Sequence, residues 1–364
     1  MINEIFESQN HLKQFFKNMK HTFLNHFNII SPSMQPHLVD SGIAGELGNL
    51  CSLFPYDITQ DFGFESRLSN PKAVCDFFLQ IRKGLPGALM LAGKSTVSNL
   101  SGQLQDDPFW RRVIRIFMAW TDAEHILSQS VEVFWLEFDY QDSGYNPTPN
   151  IFFRIAETSG DDRYVQWELR RRVLDEIYMI LFDITFPDDI ANNLKICINS
   201  LPEGAGLYQV GFMIPRKTEA IRLILVRIGL TEIENYLKNI DWPGEMEIVK
   251  SLINTYSSKF DYFVYNINIG KTILPYLSIE MYMLNMYQPQ FGPRWGEVMD
   301  FLESEQLLTA EKRASLIRFC GKKTSNSLYP VRYINGINHF KIVYRRNSPL
   351  ELKGYFGTMI RPVD

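Results

Sequence analysis

The sequence predicts an α+β fold in which helix–strand–strand–helix (αββα) units repeat around one mostly antiparallel sheet of about nine strands. Two observations lead to this prediction. Candidate helices alternate with pairs of strands, whereas a doubly wound parallel sheet needs single strands between its helices. Most strands also alternate an apolar face with a polar and aromatic one, as the two-residue period of a strand allows. The helices are therefore expected to cover the apolar face.

The strands are predicted from apolar residues that recur at every second position. In the stretch VEVFWLEFDY, Phe134, Leu136 and Phe138 form one face, and Trp135 and Glu137 belong to the other. The stretch FGFESRL is a candidate for one further short strand. The nine predicted strands span residues 131–140, 151–157, 194–200, 207–214, 220–228, 262–270, 273–284, 338–346 and 352–360.

Helices are predicted where apolar residues recur three or four positions apart. Leu169, Val173, Ile177 and Leu181, for example, follow one another at intervals of four residues. The predicted helices span residues 5–27, 71–82, 108–120, 162–182, 230–240, 244–260, 294–306 and 309–321.

Length and composition describe a folded chain with one large domain or two ordinary ones. The 364 residues are 45% apolar and 21% charged, which is typical of folded globular proteins. We expect residues 1–70, a helix and a connecting segment, to pack on a barrel-like domain of residues 71–364. A single domain of residues 1–364 is the alternative.

Charge and cysteine content limit the classes of function and the compartment. A net charge of −4 gives no reason to expect a nucleic-acid partner. The four cysteines form no CxxC pair, so we interpret them as free thiols rather than zinc ligands or disulfides. The N-terminus does not resemble a signal peptide, and no apolar run reaches the ~18 residues of a membrane span. These features predict a cytoplasmic protein.

The polar face of the predicted sheet combines Trp, Tyr, Asn, His and charges of both signs, with hardly any Thr. Two arrangements agree with such a face. Either it is open to water, as in many one-sided antiparallel sheets, or the sheet closes into a barrel whose polar face lines a chamber. Aromatic rings mixed with charges are more typical of a ligand cavity, so we favour the closed barrel with the helices outside.

This arrangement resembles the ABBA (αββα) family of prenyltransferases, in which helix–strand–strand–helix units surround a polar, aromatic chamber. The resemblance covers residues 72–360 and rests on the order of elements and on the inward residue types. It implies a transferase that moves a prenyl group from an isoprenoid diphosphate to an aromatic or peptide side-chain acceptor, as in natural-product or peptide modification.

The resemblance also implies roles for residues of the polar face. A diphosphate leaving group needs cations and hydrogen-bond donors, an allylic cation needs aromatic faces, and the acceptor needs a carboxylate that orients it and takes its proton. We expect Glu137 to be this catalytic carboxylate. The candidate diphosphate-binding residues are Arg154, Lys195, Arg222, Tyr276, Tyr282, Lys341 and Arg345. The residues expected to shield the cation are Phe64, Trp135 and Tyr262. Glu280 and His339 complete the predicted substrate-binding set.

Other interpretations stay open at this point. The inward cations can simply pair with inward carboxylates in a structural network. Glu280 and Asp139 would repel a diphosphate unless Mg²⁺ or a cationic acceptor, such as an Arg-containing peptide, compensates for their charge. Apart from this Mg²⁺, no cofactor is predicted, and His339 has no partner histidine for a metal site.

Two further functions compete with prenyl transfer. One is a non-catalytic α+β protein that binds a peptide or small molecule, and the other is a different peptide-tailoring enzyme on the same fold. The diphosphate hypothesis requires Lys195, Arg222 and Lys341 to converge on one point.

Overall fold

The computed structural model describes residues 22–96, 98–156, 163–216, 218–284, 293–325 and 330–363. Most of the helix predicted at residues 5–27 therefore lies outside the described part. The helices of the described part are α1 (Leu24–Ile30), α2 (Ser41–Ser52), α3 (Pro86–Leu91), α4 (Gly102–Asp106), α5 (Pro108–Trp120), α6 (Ile126–Ser130), α7 (Arg163–Phe182), α8 (Asp188–Asn199), α9 (Ile233–Asn239), α10 (Met246–Tyr256), α11 (Pro293–Ser304) and α12 (Ala310–Phe319), with 3₁₀ turns at Ser31–Ser33 and Ile214–Arg216.

The strands of the described part form one large sheet and one small hairpin. No helix among these residues is long and apolar enough to cross a membrane. The strands are β1 (Asp61–Arg67), β2 (Cys75–Arg82), β3 (Val131–Phe138), β4 (Tyr140–Gln141), β5 (Gly144–Tyr145), β6 (Asn150–Ile155), β7 (Gly206–Phe212), β8 (Ile221–Val226), β9 (Tyr262–Ile269), β10 (Ile273–Tyr282), β11 (Gly321–Thr324), β12 (Val331–Arg345) and β13 (Glu351–Pro362).

Ten antiparallel strands close into a barrel in the order β10-β9-β8-β7-β6-β3-β2-β1-β13-β12. The last strand pairs back with the first, with Glu280 opposite Lys341 and Leu277 opposite Tyr344. β11 pairs with the part of β12 that lies beyond this closure, and β4 and β5 form the hairpin. The predicted closed barrel is thus confirmed. β3 and β10 lie across the barrel from each other because four strands separate them on either side.

The apolar face of the barrel points outward and the helices cover it. The ring of Phe134 on β3 lies 5.2 Å from that of Phe117 and 4.9 Å from that of Trp120, both on α5. Phe64, which we expected to shield a cation inside the chamber, belongs to this outer layer. It is fully buried and packs edge-on against Phe319 of α12, so that expectation is wrong.

Two element predictions are also wrong. Residues 71–82, predicted as a helix, contain β2, in which Phe77 faces the outer core and Phe78 lines the interior. Because both faces of this strand are aromatic, its apolar residues resemble a helical stripe. Residues 194–200, predicted as a strand, belong mostly to α8, whose buried residues recur three or four positions apart.

Candidate active site

The barrel encloses a cavity of about 520 Å³, within the range of pockets that hold small ligands. We call the end where β1 begins and β2 ends the mouth, because Arg82 and Tyr262 are exposed there. We call the opposite end the floor, where Glu65, Asp139 and Lys353 are buried. Strand alternation brings polar side chains from most of the ten strands into this one space.

Two ion pairs fill the floor. Arg216, from the 3₁₀ turn after β7, holds Asp139 with both ends of its guanidinium, at 2.8 Å for Nε–Oδ2 and 2.7 Å for Nη2–Oδ1. Lys353 of β13 contacts Glu65 of β1. Burial alone would raise the pKa of Glu65, but the ammonium groups of Lys353 and Lys341 hold it well below its usual range. Glu65 and Asp139 are therefore ionised and paired.

Glu137 differs from these carboxylates. It lines the cavity from β3, between the floor and Trp135. Among the described residues, no ion pair or hydrogen bond holds its carboxylate. Burial, together with the negative charge of Glu65, raises the pKa of Glu137 to about 7. A carboxyl group with such a pKa is suited to accept a proton near neutral pH.

A cluster of cations surrounds the Tyr276 ring at the deep end of the cavity. Arg222 Cζ lies 4.7 Å from the ring centroid and Arg345 Cζ lies 5.8 Å from it. Burial alone would raise the pKa of Tyr276, but the charges of Arg222, Lys341 and Lys353 lower it. We call these four cations the cation cluster. Lys341, Lys353 and Arg345 each have a carboxylate partner, so Arg222 contributes most to the positive potential that an anion would meet in the cavity.

The members of the cation cluster differ in how they are held. Lys341 Nζ lies 3.3 Å from Glu280 Oε1 and donates to Tyr355 Oη at 3.1 Å. Arg222 Nε instead donates to the neutral amide of Asn268 at 3.0 Å. Arg222 lines the cavity and is buried without a carboxylate partner among the described residues. Its charge is therefore available to an anionic ligand.

Four rings on neighbouring strands form what we call the aromatic row, which runs along the cavity wall. Tyr262 of β9 stacks on Tyr282 of β10, with centroids 4.6 Å apart and planes at 8°. His339 of β12 follows at 4.5 Å, and Tyr355 of β13 lies 4.2 Å from His339. Burial lowers the pKa of His339 to about 4, so the row is uncharged at neutral pH.

An apolar cluster covers another part of the cavity wall. Phe152, Ile224 and Val264, on β6, β8 and β9, form a buried group separate from the core outside the barrel. Trp135 and Val226 pack against this group. The part of the interior that the structure describes thus offers a cationic region, a row of rings, an apolar surface and the carboxylate of Glu137, which has no partner among these residues.

No family model matches the sequence, and no curated protein matches it. Solved structures do match. AnaPT from Neosartorya fischeri has a TM-score of 0.54 at 10% identity, over 92% of each chain. The prenyltransferase PriB in its apo form has a TM-score of 0.53 at 11% identity, over 94% of this chain and 99% of that chain. The chain has the ABBA prenyltransferase fold.

A third structure adds ligands to the comparison. PriB in ternary complex with L-tryptophan and dimethylallyl thiolodiphosphate has a TM-score of 0.50 at 10% identity, over 93% of this chain and 98% of that chain. The predicted resemblance to the ABBA family is confirmed at the level of the fold. With about one residue in ten identical, these comparisons establish the ABBA barrel and leave the chemistry to the residues inside it.

The ABBA barrel does not bring all the predicted residues together. Lys195 is exposed on α8, outside the barrel, where its Nζ lies 5.7 Å from the Trp167 ring centroid. It does not converge with Arg222 and Lys341, because the strand predicted around it is a helix. The three-cation requirement of the sequence analysis is therefore not met, and a diphosphate site in this cavity has to rest on Arg222 and Lys341. Arg154 forms an ion pair with Glu132, in which Nε and Oε2 lie 3.1 Å apart.

Three other predicted residues lie inside the barrel or at its floor. Arg345 lies at the floor end of β12 and forms an ion pair with Glu351, in which Nη1 and Oε2 are 3.0 Å apart. Tyr282 belongs to the aromatic row, and its hydroxyl donates to Glu280 Oε2 at 2.9 Å. Asn266 donates to the other oxygen of this carboxylate, Oε1, at 3.1 Å. Glu280 is thus fully engaged on the wall opposite Glu137.

The sequence analysis missed several residues of the ABBA barrel interior. Lys353 and Tyr355 lie on β13, which we predicted as a strand without assigning its faces; their alternate positions already place them on one face. Glu65 lies on β1, which the sequence analysis named only as a candidate strand at FGFESRL and whose faces it did not assign. Arg216 lies in a one-turn 3₁₀ helix, for which the sequence carries no periodic signal.

The predicted Mg²⁺ does not fit the residues on which that prediction rested. No group of three or more His, Cys, Asp or Glu side chains in the described part of the chain is arranged to hold a metal ion. Asp139 is held by Arg216, and Glu280 by Lys341 and two hydrogen bonds. Protein groups already compensate the charges of Asp139 and Glu280, so neither carboxylate requires a metal ion for this purpose.

Proposed function

We propose that this protein transfers a prenyl group from an isoprenoid diphosphate to an aromatic side chain of an acceptor inside the barrel. One observation carries the proposal: a single cavity is lined by Arg222 and Lys341 of the cation cluster at its deep end and by the unpaired Glu137 on the wall across from β10. Cations and a free carboxylate on opposite walls suit a reaction in which an anion leaves and a proton is taken up.

The deep end is the proposed donor site. Arg222 and Lys341 face the cavity and would hold the diphosphate. As the allylic carbon–oxygen bond breaks, the diphosphate leaves with the electron pair, and cations stabilise the charge that develops on it. The apolar cluster around Phe152 and Ile224 would bind the hydrocarbon tail.

The allylic cation requires a shield from water and from nucleophiles other than the acceptor. Within the aromatic row the stacked ring faces are turned toward one another, so the row offers ring edges along its length and a ring face only at its ends. Because a ring quadrupole attracts a cation that lies over a ring face within about 6 Å, Tyr262 at one end of the row and Trp135 on the opposite wall would serve this purpose. The stacked rings of the row also hold one another in place, which keeps the shield preorganised.

Glu137 is the proposed acceptor base. A ring atom of the acceptor forms the new bond to the allylic carbon, and the proton that the acceptor loses passes to the Glu137 carboxylate. A hydrogen bond from an indole or phenol to the same carboxylate would orient the ring beforehand. Because its pKa is about 7, Glu137 can both accept this proton and release it to solvent.

The structural comparisons support this donor and acceptor class without settling them. The PriB complex contains L-tryptophan and dimethylallyl thiolodiphosphate, an aromatic amino acid and an analogue of an isoprenoid diphosphate. An isoprenoid diphosphate and an aromatic acceptor are also the kinds of ligand that the charges and rings inside this barrel would suit. The acceptor and the prenyl chain length are open to experiment.

A thermal-shift experiment tests the donor site. A ligand present at about 100 times its Kd stabilises the folded state by about 2.7 kcal/mol, so dimethylallyl, geranyl or farnesyl diphosphate should raise Tm by several degrees. Arg222→Met should abolish the shift, whereas Lys195→Met, on the outer surface, should keep it. If none of the three diphosphates shifts Tm, the protein is better explained as a non-catalytic binding protein.

A further inference from the structure

A second cavity adjoins the mouth of the barrel. This cavity, which we call the annex, has a volume of about 390 Å³. It forms because β13 continues past the start of β1, so that residues 330–331 and 360–363 overhang the segment before β1. The N-terminus of α3 closes the other side. Gly87 is needed there, because a Cβ at this position would lie 1.8 Å from the Ile58 carbonyl oxygen.

The annex and the barrel cavity share a wall made of side chains. Gln80, Arg82 and Arg361 line both spaces. Asp61 organises this wall: it accepts from Arg361 Nη2 at 2.6 Å and lies 3.4 Å from Arg82 Nε. Both arginines are substantially exposed, so the wall that the two spaces share consists of polar side chains that are partly solvated. An acceptor that reaches into the barrel can therefore continue into the annex.

The position of the annex assigns it to the acceptor rather than to the donor. The cation cluster lies at the deep end, and the annex lies at the mouth. β1, which borders the annex, faces β8 across the barrel, since four strands separate them on either side. β8 carries Ile224 of the apolar cluster. A prenyl tail on that cluster points away from the annex, so both can be filled at once.

The lining of the annex indicates the chemistry of its occupant. Most of its surface is apolar and comes from Ile81, Leu85, Pro86 and Ile360, among others. Polar groups stand beside this surface, including Asp57, Thr59 and Gln60. An apolar side chain with peptide amides on either side matches this combination, because buried amides require hydrogen-bond partners.

We propose that the annex binds the peptide segment next to the prenylated aromatic residue, so that the natural acceptor is a peptide rather than a free amino acid. This inference rests on the proposed function and narrows it. Its test compares free L-tryptophan and L-tyrosine with tripeptides that place leucine on both sides of the same residue. The wild-type kcat/KM should be at least about tenfold higher for the tripeptide, the discrimination typical of one small apolar pocket.

An annex-filling variant locates this preference. Val331→Trp should lower kcat/KM for the tripeptide about tenfold and leave transfer to the free amino acid at the wild-type rate. Val363→Trp fills the same space from the residue that follows β13 and replaces Val331→Trp if that variant does not fold. Val74→Trp, a partly buried valine that lines neither cavity, is the matched control and should keep the wild-type ratio.

The outcomes separate this inference from the proposed function. The annex proposal would be overturned if wild type had equal kcat/KM values for the free amino acid and the tripeptide, or if Val331→Trp left the ratio of these two values unchanged. The proposed prenyl transfer would not be affected by either result. An absence of product from every acceptor, together with no thermal shift by any prenyl diphosphate, would instead overturn the proposed function and the annex site with it.

Discussion

Glu137→Gln should make the protein more stable at alkaline pH, by an amount that follows from its position in the barrel. The ordinary pKa of the carboxyl group is 4.5, and its environment raises it to about 7. Each pKa unit corresponds to 1.36 kcal/mol, so ionising Glu137 in the folded state costs about 3 kcal/mol. This is a large part of the 5–15 kcal/mol that typically separates folded from unfolded proteins.

The sign follows from proton binding. Between pH 4.5 and 7 the folded state keeps the Glu137 proton while the unfolded state releases it, so stability falls as pH rises through this window. Because glutamine is neutral at every pH, the Glu137→Gln variant does not undergo this loss of stability. Urea unfolding should therefore give similar free energies for wild type and Glu137→Gln at pH 4, and a difference of about 3 kcal/mol in favour of the variant at pH 8.5.

A control removes the general effect of deleting a charge from β3. Glu132→Gln changes the same kind of side chain at an exposed position of that strand. If the free energies of unfolding of Glu137→Gln and Glu132→Gln both change with pH as the wild-type value does between pH 4 and pH 8.5, burial does not raise the pKa of Glu137. The reasoning about its role as a base then fails.

Two further substitutions, with Lys271→Met as an exposed control, test the packing and charge of the interior by urea unfolding. Gly211→Ala would place a Cβ 2.1 Å from the Phe152 ring, so overpacking should cost about 1–3 kcal/mol; a wild-type free energy would show that the ring does not lie over β7. Lys353→Met leaves Glu65 buried without its partner and should cost about 3–5 kcal/mol. Lys271→Met breaks an exposed ion pair and should cost less than about 1 kcal/mol; equal costs would contradict the buried floor.

The fold was largely predictable because alternation survives in the strands that face a polar interior. In β3, β10 and β12, most inward positions in the middle of the strand are polar or aromatic, so the spacing of residues such as Glu137, Glu280 and Lys341 predicts that they belong to the inner face. Closure was inferred from the same residues, since stacked rings and opposite charges suit an enclosed space better than open water.

The remaining features were hidden because the local pattern was ambiguous. β2 carries Phe77 and Phe78 on opposite faces, so tertiary context rather than periodicity decides that it is a strand. In the segment around Lys195, a short apolar alternation competed with a helical spacing, and the helix prevailed. Arg216 reaches Asp139 across 77 residues of sequence, a contact that no local pattern encodes.

The most direct test of the central claim pairs binding with turnover in wild type and Glu137→Gln. Calorimetry should show that both proteins bind dimethylallyl diphosphate with similar affinity, because the cation cluster is intact in both. Mass spectrometry should detect a prenylated tryptophan or tyrosine peptide with wild type and a rate lower by about 10²–10⁴ with the variant, the usual contribution of a general base. Equal rates in the two proteins, or no binding of the diphosphate to either, would contradict the account.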